Sequence, residues 1–374
     1  MLFMLEAVRP VRFSLMFTRR VGHLAGNTEC FLRKHRAGLI DNSKHYILAG
    51  ADPANEQLMK MLRRSAPKGV TICDSIWLAR VVSALEPCLQ KTRFWQSLYW
   101  DEAEYKLFNN VSTSLSFTDE ERARGYAELE AMGIRRDDWF VCFHNRDSAY
   151  LRETQPQHLK LWNRTDYRNT PLDSLVPAMR LITERGGFAL RMGAIVDQPL
   201  DDAGDPKIID YANLYRSPFM DMFLAKHCRF FIGTASGALM MATVQDVPVI
   251  STNHVPYSHF HNHSYDMVLP RLVLDPETEE TISYARAQEL GFYSDSSPSS
   301  KAAQTLDYGW RENDVEDIRN ACEDMLRYLD GEPVPAEIAE LQTAFARKYL
   351  HALPDHDLAA KIAPSWAAKY AEYF

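Results

Sequence analysis

Two arginines stand where strands of one parallel sheet are predicted to end. Arg146 follows the apolar run at 139–143, and Arg191 follows the run at 188–190. Short apolar runs of this kind are typical of buried parallel strands. Such sheets bind ligands beyond the carboxyl ends of their strands, and guanidinium groups pair well with phosphate oxygens. We therefore predict that both arginines bind the diphosphate of a nucleotide-activated donor. The alternative is two surface arginines in ordinary ion pairs.

The polar residues beside Arg146 extend this predicted site. His144 and Asn145 come directly before it, at the same strand end. His144 could contact the ligand, act as a base, or serve as a structural hydrogen-bonding residue beneath Arg146. Asp147 follows directly and could either act as a general base or orient Arg146.

A polar segment between the two strands is a further candidate for ligand binding. Asp-Tyr-Arg-Asn (166–169) supplies Arg168 and Asn169 just before an amphipathic helix predicted at 172–182. These side chains could hold a ribose, a base or a sugar. Asn169 could instead only cap the helix that follows, because asparagine is favoured at that position.

A small-residue turn is predicted after another buried strand. The run Phe-Phe-Ile-Gly-Thr-Ala-Ser-Gly (230–237) leads directly into a short predicted helix. Backbone amides at a helix start favour phosphate. Thr234, Ser236 and Gly237 are therefore predicted to bind the same donor, and an ordinary helix cap is the alternative.

Two residues near the amino terminus are candidate catalytic bases. His23 and Glu29 flank a glycine-punctuated segment at 18–27, which is predicted to be a loop. Transfer to an acceptor hydroxyl requires a group that removes its proton, and a histidine or carboxylate across the ligand cleft would serve. Asp147 is the third candidate for this role.

A group of histidines suggests a different chemistry. His254, His259, His261 and His263 lie within ten residues, and the last three would share one face of an extended segment. Such a face could bind zinc or iron. The segment also contains a proline and no nearby acidic ligand, so a loop that touches the donor is the favoured interpretation, and no metal site is predicted.

The composition limits the class of protein. The chain has 374 residues, 46% of them hydrophobic and 25% charged, as expected for a globular protein of two domains. Its net charge of −8 argues against a nucleic-acid partner. Six scattered cysteines without a Cys-x-x-Cys pair indicate reduced thiols in the cytoplasm. Because no run of residues could span a bilayer, any association with the inner membrane would be peripheral.

The order of predicted elements indicates the fold class. Strands at 11–17, 45–49 and 70–73 alternate with helices, and the same rhythm returns after residue 138. Alternation of this kind predicts α/β architecture with parallel sheets. The fingerprint Gly-x-Gly-x-x-Gly is absent, so a nicotinamide cofactor is not expected. We place the boundary between two domains near Ser116.

Several motifs in a fixed order resemble a family of bacterial glycosyltransferases linked to surface-carbohydrate biosynthesis. The His-x-Arg strand end is also similar to that of fucosyltransferases, where the arginine contacts the donor diphosphate, and this implies the same role for Arg146. The resemblance covers about 138–256. It rests on His-Asn-Arg-Asp-Ser (144–148), Asp-Tyr-Arg-Asn (166–169), Gly-Gly-Phe-Ala-Leu-Arg-Met-Gly (186–193), Ile-Asp-Tyr-Ala (209–212) and Phe-Phe-Ile-Gly-Thr-Ala-Ser-Gly (230–237).

The resemblance implies a GT-B architecture of two facing doubly wound, Rossmann-like domains. Residues 1–116 would form the acceptor side, 117–345 would bind the nucleotide sugar, and 346–374 would cross back onto the first domain. The implied activity is metal-independent transfer of a sugar from a nucleotide-diphosphate donor to a hydroxyl of a glycan, lipid-linked or protein acceptor. No cofactor is expected beside the donor.

Two other classes of function remain open from the sequence. A metal-dependent hydrolase would use the histidines between His254 and His263. A non-catalytic sugar-nucleotide-binding protein would keep Arg146 and Arg191 but would lack a base facing the ligand. The donor sugar, the acceptor, the stereochemistry of transfer and the oligomeric state are not encoded in any of these motifs.

Overall fold

The structure is a computed structural model of the chain. It describes residues 10–50, 52–99, 103–154, 156–158, 169–200, 204–234, 236–254, 261–290, 309–350 and 353–374. Arg168 and His259, two residues of the predicted sites, lie outside these ranges.

A small parallel sheet forms the centre of the amino-terminal half. Its order is β1-β2-β3, and an isolated parallel bridge joins Phe13 to Trp95 at the other edge of β1. Its strands are β1 (Val11–Met16), β2 (Lys44–Ala49) and β3 (Val70–Cys73).

A seven-stranded sheet forms the centre of the carboxyl-terminal half, with the order β12-β9-β8-β7-β4-β5-β6 and parallel pairing throughout. Strands β10 and β11 form a separate antiparallel pair. The strands are β4 (Phe140–His144), β5 (Phe188–Arg191), β6 (Ile208–Ile209), β7 (Phe231–Thr234), β8 (Val249–His254), β9 (Met267–Pro270), β10 (Leu272–Leu274), β11 (Gly309–Arg311) and β12 (Lys361–Ile362).

The order of the larger sheet is that of a doubly wound fold. Strands β4, β5 and β6 follow one another from the middle of the sheet to one edge. Strands β7, β8, β9 and β12 follow one another from the middle to the other edge. The order in which successive strands are added to the sheet therefore reverses between β4 and β7, although all of the strands are parallel. Ligands of such folds bind at this switch point. The predicted α/β class with parallel sheets is confirmed.

Helices surround both sheets, and several of them begin at strong caps. Asn55 accepts a hydrogen bond from Leu58 N, and Thr118 forms a capping box with Glu121. The helices are α1 (Val21–Arg36), α2 (Glu56–Ser65), α3 (Ile76–Leu89), α4 (Tyr105–Asn110), α5 (Asp119–Ala131), α6 (Ala149–Thr154), α7 (Val176–Glu184), α8 (Tyr211–Leu214), α9 (Pro218–His227), α10 (Leu239–Thr243), α11 (Tyr284–Glu289), α12 (Val315–Leu329), α13 (Ala336–Tyr349) and α14 (Pro364–Lys369).

The end of the chain differs from the implied crossing helix. Strand β12 pairs with β9, and Trp366 and Ala367 of α14 are buried in the core of the carboxyl-terminal half. The 3₁₀ turn His356–Leu358 contacts the earlier part of the chain through Leu358 O, which accepts a hydrogen bond from Asn109 Nδ2 at 3.0 Å. The apolar face of α14 has its partners in the second half, so this helix packs there.

A buried ionic network connects the two halves. Arg33 of α1 is fully buried, and its Nη2 lies 2.6 Å from Asp246 Oδ1 in the turn after α10. Asp246 also accepts a hydrogen bond from Thr113 N at 2.7 Å and lies 3.3 Å from His263 Nε2. His263 Nδ1 lies 3.5 Å from Asp266 Oδ2 on its other side. One charged cluster therefore joins α1 to the loops around the larger sheet.

This network predicts a pH-dependent stability. Burial alone would lower the pKa of His263, but the adjacent carboxylates of Asp246 and Asp266 outweigh burial and raise it. The stabilisation by protonated His263 is then complete below about pH 6.5, the ordinary histidine value, and is lost as the pH rises through the raised pKa. We expect the stability difference between wild type and His263→Gln, measured by urea unfolding, to shrink over that range. A difference that stays constant from pH 6 to pH 9 would contradict this assignment.

Candidate functional site at the sheet switch point

The switch point brings together the ends of β4 and β7, as the sequence predicts. Arg146 N, two residues beyond β4, donates a hydrogen bond to Thr234 Oγ1 at the end of β7 over 2.9 Å. Thr234 is fully buried. This bond fixes the backbone of Arg146 at the carboxyl edge of the sheet, where a doubly wound fold binds its ligand.

The side chain of Arg146 is held by the segment before α7. Its Nη1 donates a hydrogen bond to Asn169 Oδ1, and Asn169 Nδ2 donates to Ser148 Oγ at 2.8 Å. Thr170 N donates to Arg146 O at 3.1 Å. The two polar segments that the sequence singled out therefore meet, and Asn169 acts on the guanidinium group instead of capping a helix.

A second arginine at this edge was missed from the sequence. Arg271 is buried, and its Nη2 donates to Asn169 O at 3.1 Å and to Glu312 Oε1 at 2.7 Å. It follows the four-residue strand β9, as Arg146 follows β4. The run Met-Val-Leu-Pro (267–270) was the available signal, but its length and its proline make it a weak strand prediction. Two arginines thus contact Asn169 from different strands.

Arg191 has surroundings that the sequence did not predict. It is fully buried, and its Nη1 lies 3.3 Å from Asp210 Oδ1 just after β6. Asp210 Oδ2 also accepts hydrogen bonds from Leu200 N at 2.9 Å and from Asn213 Nδ2 at 2.6 Å. Arg191 is therefore in an ion pair, as the alternative to ligand binding proposed, although the pair is interior. Its Nε and Nη2 are buried without a hydrogen-bond partner among the described residues.

The surroundings of His144 favour a neutral imidazole that can accept a hydrogen bond. Its Nδ1 donates a hydrogen bond to Met192 O at 3.1 Å. Burial lowers the pKa of the imidazole, with the hydrogen bond to Met192 opposing this effect. The neutral ring then keeps the lone pair on Nε2, which can accept a hydrogen bond from a ligand hydroxyl.

Asn145 and Asp147 differ in how far their polar atoms are satisfied. Asn145 is buried with Nδ2 3.4 Å from Thr170 O, whereas its Oδ1 has no hydrogen-bond partner among the described residues. Both carboxylate oxygens of Asp147 accept backbone hydrogen bonds, from Ala149 N at 3.0 Å and Asp197 N at 3.2 Å. Asp147 therefore orders the start of α6 and a neighbouring loop, and these bonds orient neither Arg146 nor an acceptor.

The two glycine-containing turns of the sequence touch each other. A Cβ on Gly22, in the first turn of α1, would lie 2.7 Å from Gly237 Cα, and one on Gly237 would lie 2.8 Å from Gly22 N. The segment 18–27, predicted to be a loop, is helical from Val21 onward. Gly22 does not mark a loop there, because its missing side chain is what lets the backbone at Gly237 come close. Ser236 Oγ, beside this contact, is buried without a hydrogen-bond partner among the described residues. Helix α10 has only five residues, so the amides at its start support the predicted phosphate contact less than those of a longer helix would.

Replacing Gly237 by alanine should disturb this contact. Because the obstructing atoms are backbone, they cannot swing aside, and overpacking of this kind costs typically about 1–3 kcal/mol. We expect Gly237→Ala to lower the free energy of unfolding by that amount in urea titrations. Gly309→Ala is the matched control, since its Cβ would find nothing nearer than 3.4 Å. Equal stability of the two variants would show that the halves do not meet here.

The candidate bases of the amino-terminal half lie in different surroundings. Glu29 is fully buried, with Oε1 3.3 Å from Arg33 Nε and 3.0 Å from Arg36 Nη2. Burial raises its pKa, and the two arginines oppose that shift. The prediction that Glu29 faces the cleft is therefore corrected, because the whole side chain is buried. Its Oε1 belongs to an interior ion network, and its Oε2 has no hydrogen-bond partner among the described residues. His23 is partly exposed in the first turn of α1, with its ring centroid 5.7 Å from that of Phe17.

Two of the described histidines of the predicted metal group, His254 and His261, are neighbours, and His263 has other partners. His254 Nδ1 lies 2.9 Å from Ser251 Oγ, and its ring centroid is 5.9 Å from that of His261. His263 belongs to the network with Asp246. Within the described ranges, no group of three or more histidine, cysteine, aspartate or glutamate side chains is arranged to hold a metal ion.

A polar cleft lies between α1 and the segment 96–99. Its volume is about 320 Å³, within the range of small-molecule sites, and its wall includes Lys34, Gln96 and Tyr99. Asn27 is buried in this wall, and neither its Nδ2 nor its Oδ1 has a hydrogen-bond partner among the described residues. Both atoms are enclosed within the wall, so the polar surface that the cleft offers a ligand comes from neighbours such as Lys34 and Gln96. This cleft was not predicted, because Asn27 lies inside the predicted loop.

The fold and the site define an α/β protein with a buried arginine at the switch point of its larger sheet. In comparison with known proteins, the chain shows structural similarity only. No family model and no curated protein matches the sequence. A glycosyl transferase family 9 structure from Veillonella parvula DSM 2008 is similar at 12% identity and a TM-score of 0.44, over 85% of this chain and 97% of that chain. The iron-containing dodecameric glycosyltransferase TibC from enterotoxigenic E. coli H10407 gives 13% identity and a TM-score of 0.37, over 68% and 61%.

Similarities at this level do not identify an activity. Within the described ranges, no helix has both the length and the apolar character to cross a bilayer.

Proposed function

We propose that this chain is a glycosyltransferase of GT-B architecture that takes its sugar from a nucleotide-diphosphate donor. The observation that carries the proposal is the buried guanidinium of Arg146 at the β4–β7 switch point, held by Asn169 and anchored through Thr234. Placed there, a fixed cation matches the diphosphate of a nucleotide sugar. We further propose that the product is a surface glycan or glycoconjugate made in the cytoplasm. All six cysteines are unpaired, which supports a reducing compartment.

The proposed reaction is a displacement at the anomeric carbon. The acceptor oxygen forms a bond to that carbon while the bond to the diphosphate oxygen breaks, and the acceptor proton passes to a base. Negative charge grows on the diphosphate, where a preorganised Arg146 stabilises it more than in the ground state. Arg271 adds positive potential from β9 through its shared contact with Asn169. Two arginines can neutralise the leaving diphosphate, which a divalent cation does in other transferases, so we propose metal-independent transfer.

The acceptor is proposed to bind on the amino-terminal half. The Asn27 cleft offers the amide of Gln96 and the aromatic surface of Tyr99, both of which suit a sugar unit, and His23 lies in the first turn of the helix that forms one wall. Because Glu29 and Asp147 are committed to other hydrogen bonds, His23 is the proposed base. His23→Gln should then abolish transfer while leaving nucleotide binding intact, which separates catalysis from donor recognition.

A thermal-shift panel of nucleotides and nucleotide sugars tests the proposal. A ligand that binds the folded state raises the melting temperature by mass action. We expect one nucleotide diphosphate to stabilise the wild type, with or without chelator, and the matching nucleotide sugar to be consumed with a suitable acceptor. A chain that no nucleotide stabilises, and that loses stability when chelator is added, would move the histidines around His254 to the centre and overturn the proposal.

A further inference from the structure

Helix α3 presents an apolar stripe to solvent. Trp77, Val81 and Leu85 follow one another at four-residue spacing, which places them on one helix face, and they are 73%, 54% and 48% exposed. Ile76 and Leu78, beside them, are also exposed. Scattered exposed apolar residues are normal, but a contiguous group of this size marks an interaction surface.

The stripe lies on the outermost layer of the amino-terminal half. The opposite face of α3 buries Ala79, Val82 and Leu89 against Leu48 and Phe94, in a small cluster of its own. Helix α1, on the other face of the same sheet, joins the core that the two halves share. The described part of the chain therefore places no element over the stripe, and the stripe points away from the larger sheet.

The charges around the stripe are basic in an otherwise acidic protein. Residues 75–93 contain Arg80, Lys91 and Arg93 but Glu86 as the one acidic residue, whereas the chain as a whole carries −8. The guanidinium of Arg80 lies 5.6 Å from the ring centroid of Trp77. An amphipathic surface with an exposed tryptophan and flanking arginine or lysine residues is suited to the headgroup region of an anionic bilayer.

We propose that α3 lies flat on an anionic phospholipid surface, with Trp77, Val81 and Leu85 inserted among the acyl chains. A second copy of the chain fits this face less well. A helix of 14 residues is about 21 Å long and about 10 Å wide, so its face offers roughly 200 Å², far below the roughly 800 Å² per partner of a stable interface. A bilayer needs no matching groove, and it also supplies the negative charge that Arg80 and Lys91 complement.

Vesicle sedimentation tests this inference without reference to any enzymatic activity. Purified full-length protein is mixed with vesicles of phosphatidylcholine alone, or with 30% phosphatidylglycerol, at low and high salt. We expect wild type to sediment with the anionic vesicles, less so at high salt, and Val81→Asp and Trp77→Gln to lose at least tenfold in partitioning. Leu214→Asp is the control, since Leu214 is 67% exposed on the other half of the molecule and should change nothing.

Several outcomes would overturn the inference. Equal sedimentation of wild type and Val81→Asp would do so, as would a wild type that binds neither kind of vesicle. A concentration-dependent dimer that Val81→Asp dissociates, seen by analytical ultracentrifugation without lipid, would assign the stripe to a second copy. Nucleotide-induced stabilisation is measured on the same variants without vesicles. A variant that loses vesicle binding but is still stabilised by nucleotide has lost only the function of α3. The vesicle result therefore tests the membrane proposal, and the nucleotide result tests the proposed glycosyltransferase activity separately.

Discussion

Arg146→Ala should abolish stabilisation by nucleotide diphosphates and lower kcat/KM for sugar transfer by about 10²–10³-fold, the usual effect of removing one preorganised group that stabilises developing charge. The effect should be large because Thr234 anchors the backbone of Arg146 and Asn169 holds its guanidinium, so little ordering is needed when the donor binds. The measurement is a steady-state rate with a fixed acceptor, beside the melting temperature with and without nucleotide.

Two further variants make the result specific. Arg146→Lys keeps the charge but loses the planar fork, so we expect it to recover little activity. Arg135→Ala is the matched control, because Arg135 precedes the opposite end of β4 and is largely exposed beside Asp138. An Arg146→Ala enzyme that retains both its nucleotide stabilisation and its rate would remove the donor from the switch point.

Asp246→Ala should destabilise the fold by about 3 kcal/mol, because it leaves the charge of Arg33 buried without its nearest partner. We place the effect at the low end of the usual 3–5 kcal/mol. The reason is that Glu29 Oε1 stays 3.3 Å from Arg33 Nε. The substitution also removes the acceptor of Thr113 N, which donates a hydrogen bond to Asp246 Oδ2 at 2.7 Å between the two halves. Urea unfolding at pH 7 measures the change.

The control for this variant is Asp119→Ala, which removes the exposed partner of Arg122 and should cost at most about 1 kcal/mol. Adding Arg33→Met to Asp246→Ala should recover part of the stability, since the uncompensated charge is then gone. If Asp246→Ala costs no more than Asp119→Ala, the junction between the halves does not depend on this pair.

The strands of the larger sheet that mattered most for function were readable from the sequence. β4 and β7 are continuous apolar runs followed at once by polar or small residues, and this local pattern shows both the buried strand and its functional end. Arg146 and Asn169 were both predicted to bind the donor, but the contact between them was not predicted. β9 and β12 were missed, since four residues ending in proline and two residues carry too little periodicity.

Pairings over long sequence distances could not be read in the same way. Arg191 looked available because no acidic residue adjoins it in the chain, yet Asp210 lies beside it after β6. Glu29 looked exposed because it follows a glycine-rich segment, yet α1 is enclosed on several sides. In both cases the partner comes from an element whose position only the folded sheet determines. The same holds for Arg271, whose contact with Asn169 spans 102 residues.

Two of the contacts between the halves lie on the same helix. Gly22 meets Gly237 in the first turn of α1, and Arg33 meets Asp246 near its last turn, eleven residues or about 16 Å further along. The carboxyl-terminal half therefore holds α1 near both of its ends. Asn27 lies between these two contacts, so the wall that α1 gives to the cleft is fixed in position relative to the larger sheet.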